Sequence, residues 1–331
     1  MKAFLYNLRL NFWACLIFLW AAIGVVSPVS GEYPEKHIRV IVHVPPGAGT
    51  DAMARLVLRY AGKKLGTSFI IENYKGAGGQ VGYTVLARSK PDGYTMGTIT
   101  TTSILTHELT RKKVAYRSHE SFIPIAQVVM DPSGLFVRQK SRFKTLEDLL
   151  EYAKEHPCMV NCGGSSLWGA HHVHCKLLER TSGAKLNYIP FDGAAEARNN
   201  LLGGHIDVAA GGISEYKSLI DAGKVRALVA ASEKHMADFP DVPTYKEFGY
   251  DLVVGANRGF AVPAGTPPER VEILSRTISE VIKDPAFLKD AEKLGMKSTL
   301  AYLGTDEFKA ELLELSKTMK ELVEQNQKDK Q

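Results

Sequence analysis

Cysteine is scarce in this chain, four in 331 residues, and the first of them, Cys15, lies inside the apolar run near the start. The other three, Cys158, Cys162 and Cys175, allow at most one intramolecular disulfide and leave one thiol over. The fold therefore does not rest on a disulfide framework. Excess charge is small as well: the formal net charge is +5, two units of which come from Lys2 and Arg9, too mild to argue for nucleic acid. Beyond Gly31 no apolar run is long enough to cross a membrane, and no low-complexity tract or solenoid repeat occurs. The nucleophile elbow of a serine hydrolase is missing too. G-x-S-x-G needs glycine two places after the serine, where Ser165 has Leu167 and Ser166 has Trp168.

What is present at the start is a basic end with Lys2 and Arg9, an apolar run from Phe12 to Val26, and the small residues Val29-Ser30-Gly31. That is the pattern of a secretory signal peptide over residues 1–31, with cleavage expected just after Gly31. Gly24, Pro28 and the small-residue end favour cleavage over a retained anchor, and Cys15 sits within the run instead of after it, against a lipid anchor. The expected exported chain, residues 32–331, is long enough for two lobes with separate cores.

That chain alternates β-type and helical stretches with short Gly/Pro punctuation, the pattern of α/β layers. His37 to Val44 reads as a strand, Ala52 to Leu65 as a helix ending at Gly66, Ser68 to Glu72 as a strand, Gln80 to Ser89 as a helix, and Tyr94 to Thr100 as a third strand. Apolar segments from Phe122 to Val137 are broken by Pro124 and by Asp131-Pro132-Ser133-Gly134, where the chain is expected to cross into a second lobe. A further α/β series follows, with helices at Leu146 to His156, Ala170 to Thr181 and Ala194 to Leu202. The division expected is residues 32–126 plus 237–331 for lobe 1 and 127–236 for lobe 2.

The loops after these strands carry the chemistry. In Pro45-Pro46-Gly47-Ala48-Gly49-Thr50-Asp51 the glycines let backbone approach a ligand, Thr50 or Asp51 can cap the following helix, and the amides of its first turn attract an anion. Gly76-Ala77-Gly78-Gly79 repeats that logic. Thr100-Thr101-Thr102-Ser103 presents hydroxyls suited to a carboxylate or hydroxyl. Gly163-Gly164-Ser165-Ser166 offers a facing anion site in the second lobe. Any one of these is an ordinary turn; their recurrence at equivalent positions describes a clamp.

Two enzyme readings compete. Gly47, Gly49 and Ala52 fit G-x-G-x-x-A with Glu72 about twenty residues on, the dinucleotide fingerprint. The export signal and the stiff Pro45-Pro46 approach stand against it. Cys158, Cys162, His171, His172, His174 and Cys175 could hold zinc, with His171 and Cys175 one helical turn apart. That spacing lacks a C-x-x-C pair, and adjacent histidines point to different faces. The alternative carried forward is thus an exported zinc- or nucleotide-dependent enzyme; the main reading has no catalytic residues, metal or cofactor.

Read together, IRVIVHVPPGAGTDAMARLV, IENYKGAGGQVGYTVLARSKPDGYTM, SFIPIAQV, CGGSSLWGAHHVHCKLLE, YIPFDGAAEARNNLLGGHIDV, GKVRALVAAS, FPDVPTYKEFGY and GFAVPAGTPPERV closely resemble the extracytoplasmic solute receptors of tripartite tricarboxylate transporters, the Bug family. The resemblance covers essentially all of residues 32–331. It implies a two-lobed, type II periplasmic binding protein (Venus flytrap) fold with two Rossmann-like lobes, a small mono-, di- or tricarboxylate, amino acid or aromatic acid as ligand, and no enzymatic activity. It implies a monomer in the periplasm that delivers its ligand to the large and small membrane subunits of the transporter. By the same resemblance the ligand carboxylate is held between Gly49-Thr50-Asp51 and Gly78-Gly79, partly through ordered water, with Ser165, Ser166 and the Phe191-Asp192-Gly193-Ala194 loop opposite; the loop reading above adds Ala48, Thr101 and Ser103. Where the family usually has Tyr-Lys-Gly, this chain has Phe191-Asp192-Gly193, so any contact through that lysine is lost. Arg258 stands where relatives carry an aromatic residue, and is expected to pair with a second anionic group on the ligand or to form an interlobe salt bridge.

Overall fold

The structure, a computed structural model, describes residues 33–328, so the expected signal peptide and its cleavage point lie outside the described residues. Residues 1–35 and 36–331 separate as two units, and everything below concerns the second.

Strand β1 (Ile38–Val42) is buried at every position except Arg39, as befits a strand covered on both faces. It pairs in parallel with β2 (Phe69–Asn73) and β3 (Thr95–Thr100). Helix α1 (Gly49–Leu65) joins β1 to β2 and stops at Gly66 in the left-handed conformation. Helix α2 (Gln80–Ala87) joins β2 to β3. Helix α3 (Thr101–Thr110) follows β3 at once, so the hydroxyl-rich stretch read as a loop is a strand end running straight into a helix.

Strand β4 (Phe122–Arg138) is 17 residues long and continuous. The two prolines expected to break it are absorbed: its register against β9 (Gly255–Pro263) shifts beside Pro124, where proline supplies no ladder N–H. Pro132 is the last β4 residue paired with β9, opposite Gly255. From Ser133 onward β4 pairs instead with β7 (Val208–Gly212) and β8 (Val225–Ala230). Strand β7 in turn neighbours β5 (Asn161–Gly164), and β5 neighbours β6 (Asn187–Pro190), both in parallel. The path is therefore β2-β1-β3-β9-β4-β7-β5-β6, with β4 belonging to two sheets in succession. A last strand, β10 (Leu300–Leu303), also pairs with β4.

Each half has its own core. In the first, Ile41, Ile99, Phe122 and Ala261 pack with Phe308, Leu312 and Met319 of α10 (Thr305–Lys328), the last of three C-terminal helices after α8 (Pro268–Val281) and α9 (Pro285–Lys293). In the second, Leu135, Val137, Val160 and Val208 pack with α4 (Leu146–Glu155), whose Leu146, Leu149, Leu150 and Ala153 fall at the spacing of one helical face. Helix α5 (Ala170–Ser182) serves both, since Val173 is buried in the first core and Cys175 and Leu178 in the second. Helices α6 (Ala194–Gly203) and α7 (Ile213–Asp221) complete the second half, with the Tyr216 ring of α7 stacked on Phe136 at a centroid distance of 3.7 Å.

The sheet switch differs from the expected boundaries. Residues 127–132 still pair with β9, and Phe239, Val242, Tyr245 and Leu252, past the expected return at 237, pack in the cores of the second half. Neither stretch carries a local signal for which sheet it joins, because either sheet accepts apolar extended chain.

Candidate functional site

Six segments that each follow a strand converge on one cavity with about 70 Å³ of space for water-sized molecules. Ala48, Gly49 and Thr50 follow β1; Gly76, Gly78 and Gly79 follow β2; Thr100 and Ser103 end β3 and open α3. From the second half come Ser165, Ser166, Ala170 and His171 after β5, Asp192, Gly193 and Ala194 after β6, and Glu215 after β7. His43, Val44, Ala256 and Arg258 complete the wall.

Every one of these segments starts a helix: α1, α2, α3, α5, α6 and α7, whose N-cap residues are Ala48, Gly79, Thr100, Gly169, Gly193 and Gly212. Among the described residues, at none of these six ends does the side chain of the N-cap residue cap the helix, though at α7 the first-turn Ser214 amide is taken by Asp131. The first turn of a helix leaves about four backbone N–H groups without intrahelical partners and carries a positive end of roughly half a charge. Two helices elsewhere close that deficit themselves: Thr145 and Asp148 form a capping box at α4, and Asp284 accepts from the Ala286 amide at α9, while α8 opens on Pro267 and Pro268, which have no N–H to satisfy.

The cavity wall gains little from formal charge. Arg258 is buried, 4% exposed, and its two terminal nitrogens are both engaged. Nη1 donates to Asp131 Oδ2 at 3.1 Å and Nη2 to Glu215 Oε1 at 2.9 Å. Asp131 also accepts from the Ser214 amide and hydroxyl at 3.1 and 2.6 Å. One guanidinium thus serves two buried carboxylates. Burial pushes the Asp131 carboxyl up, with Arg258 opposing and Glu215 adding to the rise. Burial also works to raise Glu215, but Arg258, then His171 and Arg198, outweigh it and hold that carboxyl below its ordinary value. The expectation that Arg258 pairs with the ligand meets a residue already paired across the two halves, from β9 to α7.

The histidines on the wall are neutral. His43 Nδ1 lies 2.9 Å from the Thr98 carbonyl, which only accepts, so Nδ1 carries the hydrogen and Nε2, 3.2 Å from Thr100 Oγ1, accepts from that hydroxyl. Burial lowers the His43 pKa to about 3 and that of His171 to about 4.

Of the residues expected at the site, Ala48, Gly49, Thr50, Gly78, Gly79, Ser103, Ser165, Ser166, Asp192, Gly193 and Arg258 line the cavity; Asp51 and Thr101 do not. Asp51 sits behind its loop, accepting from the Gly47 amide, Arg55 Nε and Asn73 Nδ2, each at 2.9 Å. It braces the Pro45 to Gly49 turn from the far side. Thr101 is fully buried as the first residue of α3, one place beyond the Thr100 side chain that reaches the wall. Thr100, from the hydroxyl-rich stretch, lines it too, while His43, His171 and Glu215 were not expected there. Helical spacing did bring His171 forward, but as a zinc ligand.

The halves touch across the cavity. Gly78 has φ +62°, and a Cβ built there would lie 2.7 Å from Ser166 Cβ. Thr106 Oγ1 donates to the Trp168 carbonyl, a second bridge. Arg111 holds the Gly78 loop from outside, donating to the Ala77 carbonyl at 2.7 Å and Gln80 Oε1 at 2.6 Å.

The cysteine and histidine cluster disperses. Cys158 is exposed, Cys162 and Cys175 are buried with their sulfurs 3.6 Å apart, His172 Nδ1 accepts from the Trp168 amide, and His174 meets Tyr245 Oη at 2.7 Å. Among the described residues no three metal-ligating side chains converge.

Comparison with known proteins gives one consistent answer. Residues 53–324 match the family described as "Tripartite tricarboxylate transporter family receptor". Protein BugT of Bordetella pertussis is 32% identical over 285 residues, 85% of this chain and 87% of that protein. Among solved structures, a TctC solute binding protein from Polaromonas has a TM-score of 0.68 at 31% identity, covering 88% of this chain and 99% of that one. MatC from Rhodopseudomonas palustris, solved with bound malate, has a TM-score of 0.80 at 27% identity, covering 88% and 100%. The fold is that of these periplasmic binding proteins.

Proposed function

Because the chain belongs to the tripartite tricarboxylate transporter family receptors, we propose that it captures a small carboxylate in the cavity between its halves and delivers it to a tripartite transporter. The observation that carries this reading is the convergence of six helix N-termini on one cavity, five of them, α1, α2, α3, α5 and α6, without a side-chain cap. At those five ends, amide donors that no side-chain cap satisfies, at the positive ends of their helices, are complementary to an anion without needing a formal cation. MatC, with its bound malate, is a relative whose ligand is of this class.

Capture involves no bond-breaking. The two halves, 36–132 with 255–328 and 133–254, act as lobes, and the chain crosses between them where β4 changes sheets and where β9 begins. A ligand touching both lobes adds contacts that exist only when they meet, and so shifts the population toward that state by its differential affinity. Export by residues 1–31 puts the receptor in the periplasm as a monomer. The large and small membrane subunits of the transporter would then read the closed form.

Thermal unfolding of the purified protein against mono-, di- and tricarboxylates, amino acids and aromatic acids, with zinc and NAD as controls, tests this. A ligand at a hundred times its dissociation constant stabilises by about 2.7 kcal/mol. A shift with one carboxylate class is the expected result, and a shift with zinc or NAD alone would overturn the reading.

A further inference from the structure

Two buried polar atoms on the cavity wall have no hydrogen-bond partner among the described residues, Glu215 Oε2 and His171 Nε2. Neither belongs to a loose surface side chain: the Glu215 side chain is 6% exposed and His171 is 4% exposed. Buried polar groups ordinarily find partners, so two orphans on one small cavity point to something that occupies it.

Their chemistry is opposite. Glu215 is held by Arg258 through Oε1, which leaves Oε2 as an acceptor. His171 Nδ1 accepts the Ser165 amide hydrogen at 3.4 Å, so the ring hydrogen sits on Nε2, a donor. A group that answers both must accept from an imidazole N–H and donate to a carboxylate. A carboxylate accepts only, and it would face Glu215 with like charge. Among the described residues that line the cavity the one Lys or Arg is Arg258, and it is already shared between Asp131 and Glu215 instead of held for a second ligand carboxylate. An ammonium donates only. A hydroxyl does both.

We propose that the ligand is a hydroxy acid, its carboxylate on the uncapped helix ends and its hydroxyl between His171 Nε2 and Glu215 Oε2. This rests on the reading of the cavity as a carboxylate receptor site. It goes further by naming the substituent. A ligand hydroxyl can donate to one atom and accept from the other, as a water would, while an unsubstituted carbon can do neither.

The test is titration calorimetry with matched sets of acids that differ only in one substituent: unsubstituted, hydroxy at carbon 2 or 3, and amino. Propionate, succinate and phenylacetate are the parents. A hydroxy acid should bind at least about tenfold tighter than both its unsubstituted and its amino counterpart, because a site built for a hydroxyl is left with unpaired groups otherwise. In His171→Asn the amide oxygen can still accept from Ser165 but the Nε2 donor is gone, so that preference should fall to near onefold while the unsubstituted acid holds within about threefold. The ranking in the unaltered protein decides even if the variant does not fold. An unsubstituted or amino acid at the top overturns the hydroxyl assignment and leaves the receptor reading standing. Heat from no acid in any set overturns both.

Discussion

The beginnings of α4 and α9, away from the cavity, differ from those of most of the helices that open onto it. At the outside, α4 and α9 spend side chains on their own first turns: Thr145 and Asp148 reciprocally, Asp284 on Ala286. At the cavity, five helices begin on alanine, glycine or a threonine whose hydroxyl turns to His43 and have no side-chain cap, while the sixth, α7, has its Ser214 amide taken by Asp131. A side-chain cap and an anionic ligand compete for the same N–H groups. The cavity ends give up local stability for the ability to bind.

The largest expected effect tests whether the cavity wall stays neutral while the surface titrates. Burial holds His43, His107 and His174 at about 3 and His171 at about 4. An unfolded chain takes up protons on these rings near pH 6.5, and the folded chain refuses them until far lower. Their contribution is therefore intact above about pH 6.5 and is lost as pH falls toward 4, by up to about 1.4 kcal/mol per pH unit for each histidine. Urea midpoints measured from pH 7.5 to 4.5 should fall steeply across that window. A flat profile would mean the rings are solvated.

Next comes Arg258→Ala, which leaves Asp131 and Glu215 buried without their counter-charge and should cost about 3–5 kcal/mol in denaturant unfolding. The exposed pair Arg59–Asp290 is its peripheral counterpart, and Arg59→Ala should cost under about 1 kcal/mol. Equal costs would erase the distinction between inside and outside. Gly49→Ala adds a methyl at the first residue of α1, where its Cβ would lie 2.7 Å from Arg258 Nη1 and closer still to Glu215. A loss of about 1–3 kcal/mol and weaker carboxylate binding, read by calorimetry, are expected.

The smallest effects are the most specific to the comparison. Thr145→Ala should remove about 1 kcal/mol of stability and leave ligand affinity unchanged. Gly193→Ser does the reverse. Gly193 is extended at φ −175°, and a Cβ there meets only Pro45, at 3.8 Å, so serine fits and can cap α6. It should add a few tenths of a kcal/mol and weaken carboxylate binding severalfold, because the cap occupies amides the ligand needs. If capping Gly193 left affinity untouched, α6 would not be part of the binding surface.

The loops were legible because glycine, proline and small hydroxyl residues between periodic segments are local signals. Ala48 to Thr50, Gly78-Gly79 and Ser165-Ser166 could be placed from them, whereas Asp192-Gly193 came only from the family resemblance. Asp51 misled for a local reason, since an acidic residue at a helix start looks the same whether it faces the ligand or its own loop. Only Asn73, 22 residues on, turns it inward. Glu215 and His43 gave no signal at all. Glu215 sits in a helix with charged neighbours, and His43 at the end of an apolar strand; each becomes special through Arg258 and Thr98, which lie 43 and 55 residues away.

Sequence by itself determined the α/β series and the glycine loops and helix beginnings that follow the strands, because these are set by neighbours a few positions apart; it did not determine the capping, since Thr50 or Asp51 was expected to cap α1 and the N-cap is Ala48. Tertiary structure decided that six such beginnings meet in one cavity, that β4 runs unbroken through two sheets, and that Arg258 is spent on Asp131 and Glu215. Those outcomes depend on which strands pair and which charges are buried together, and charge pairing at that range is a property of the packed chain alone.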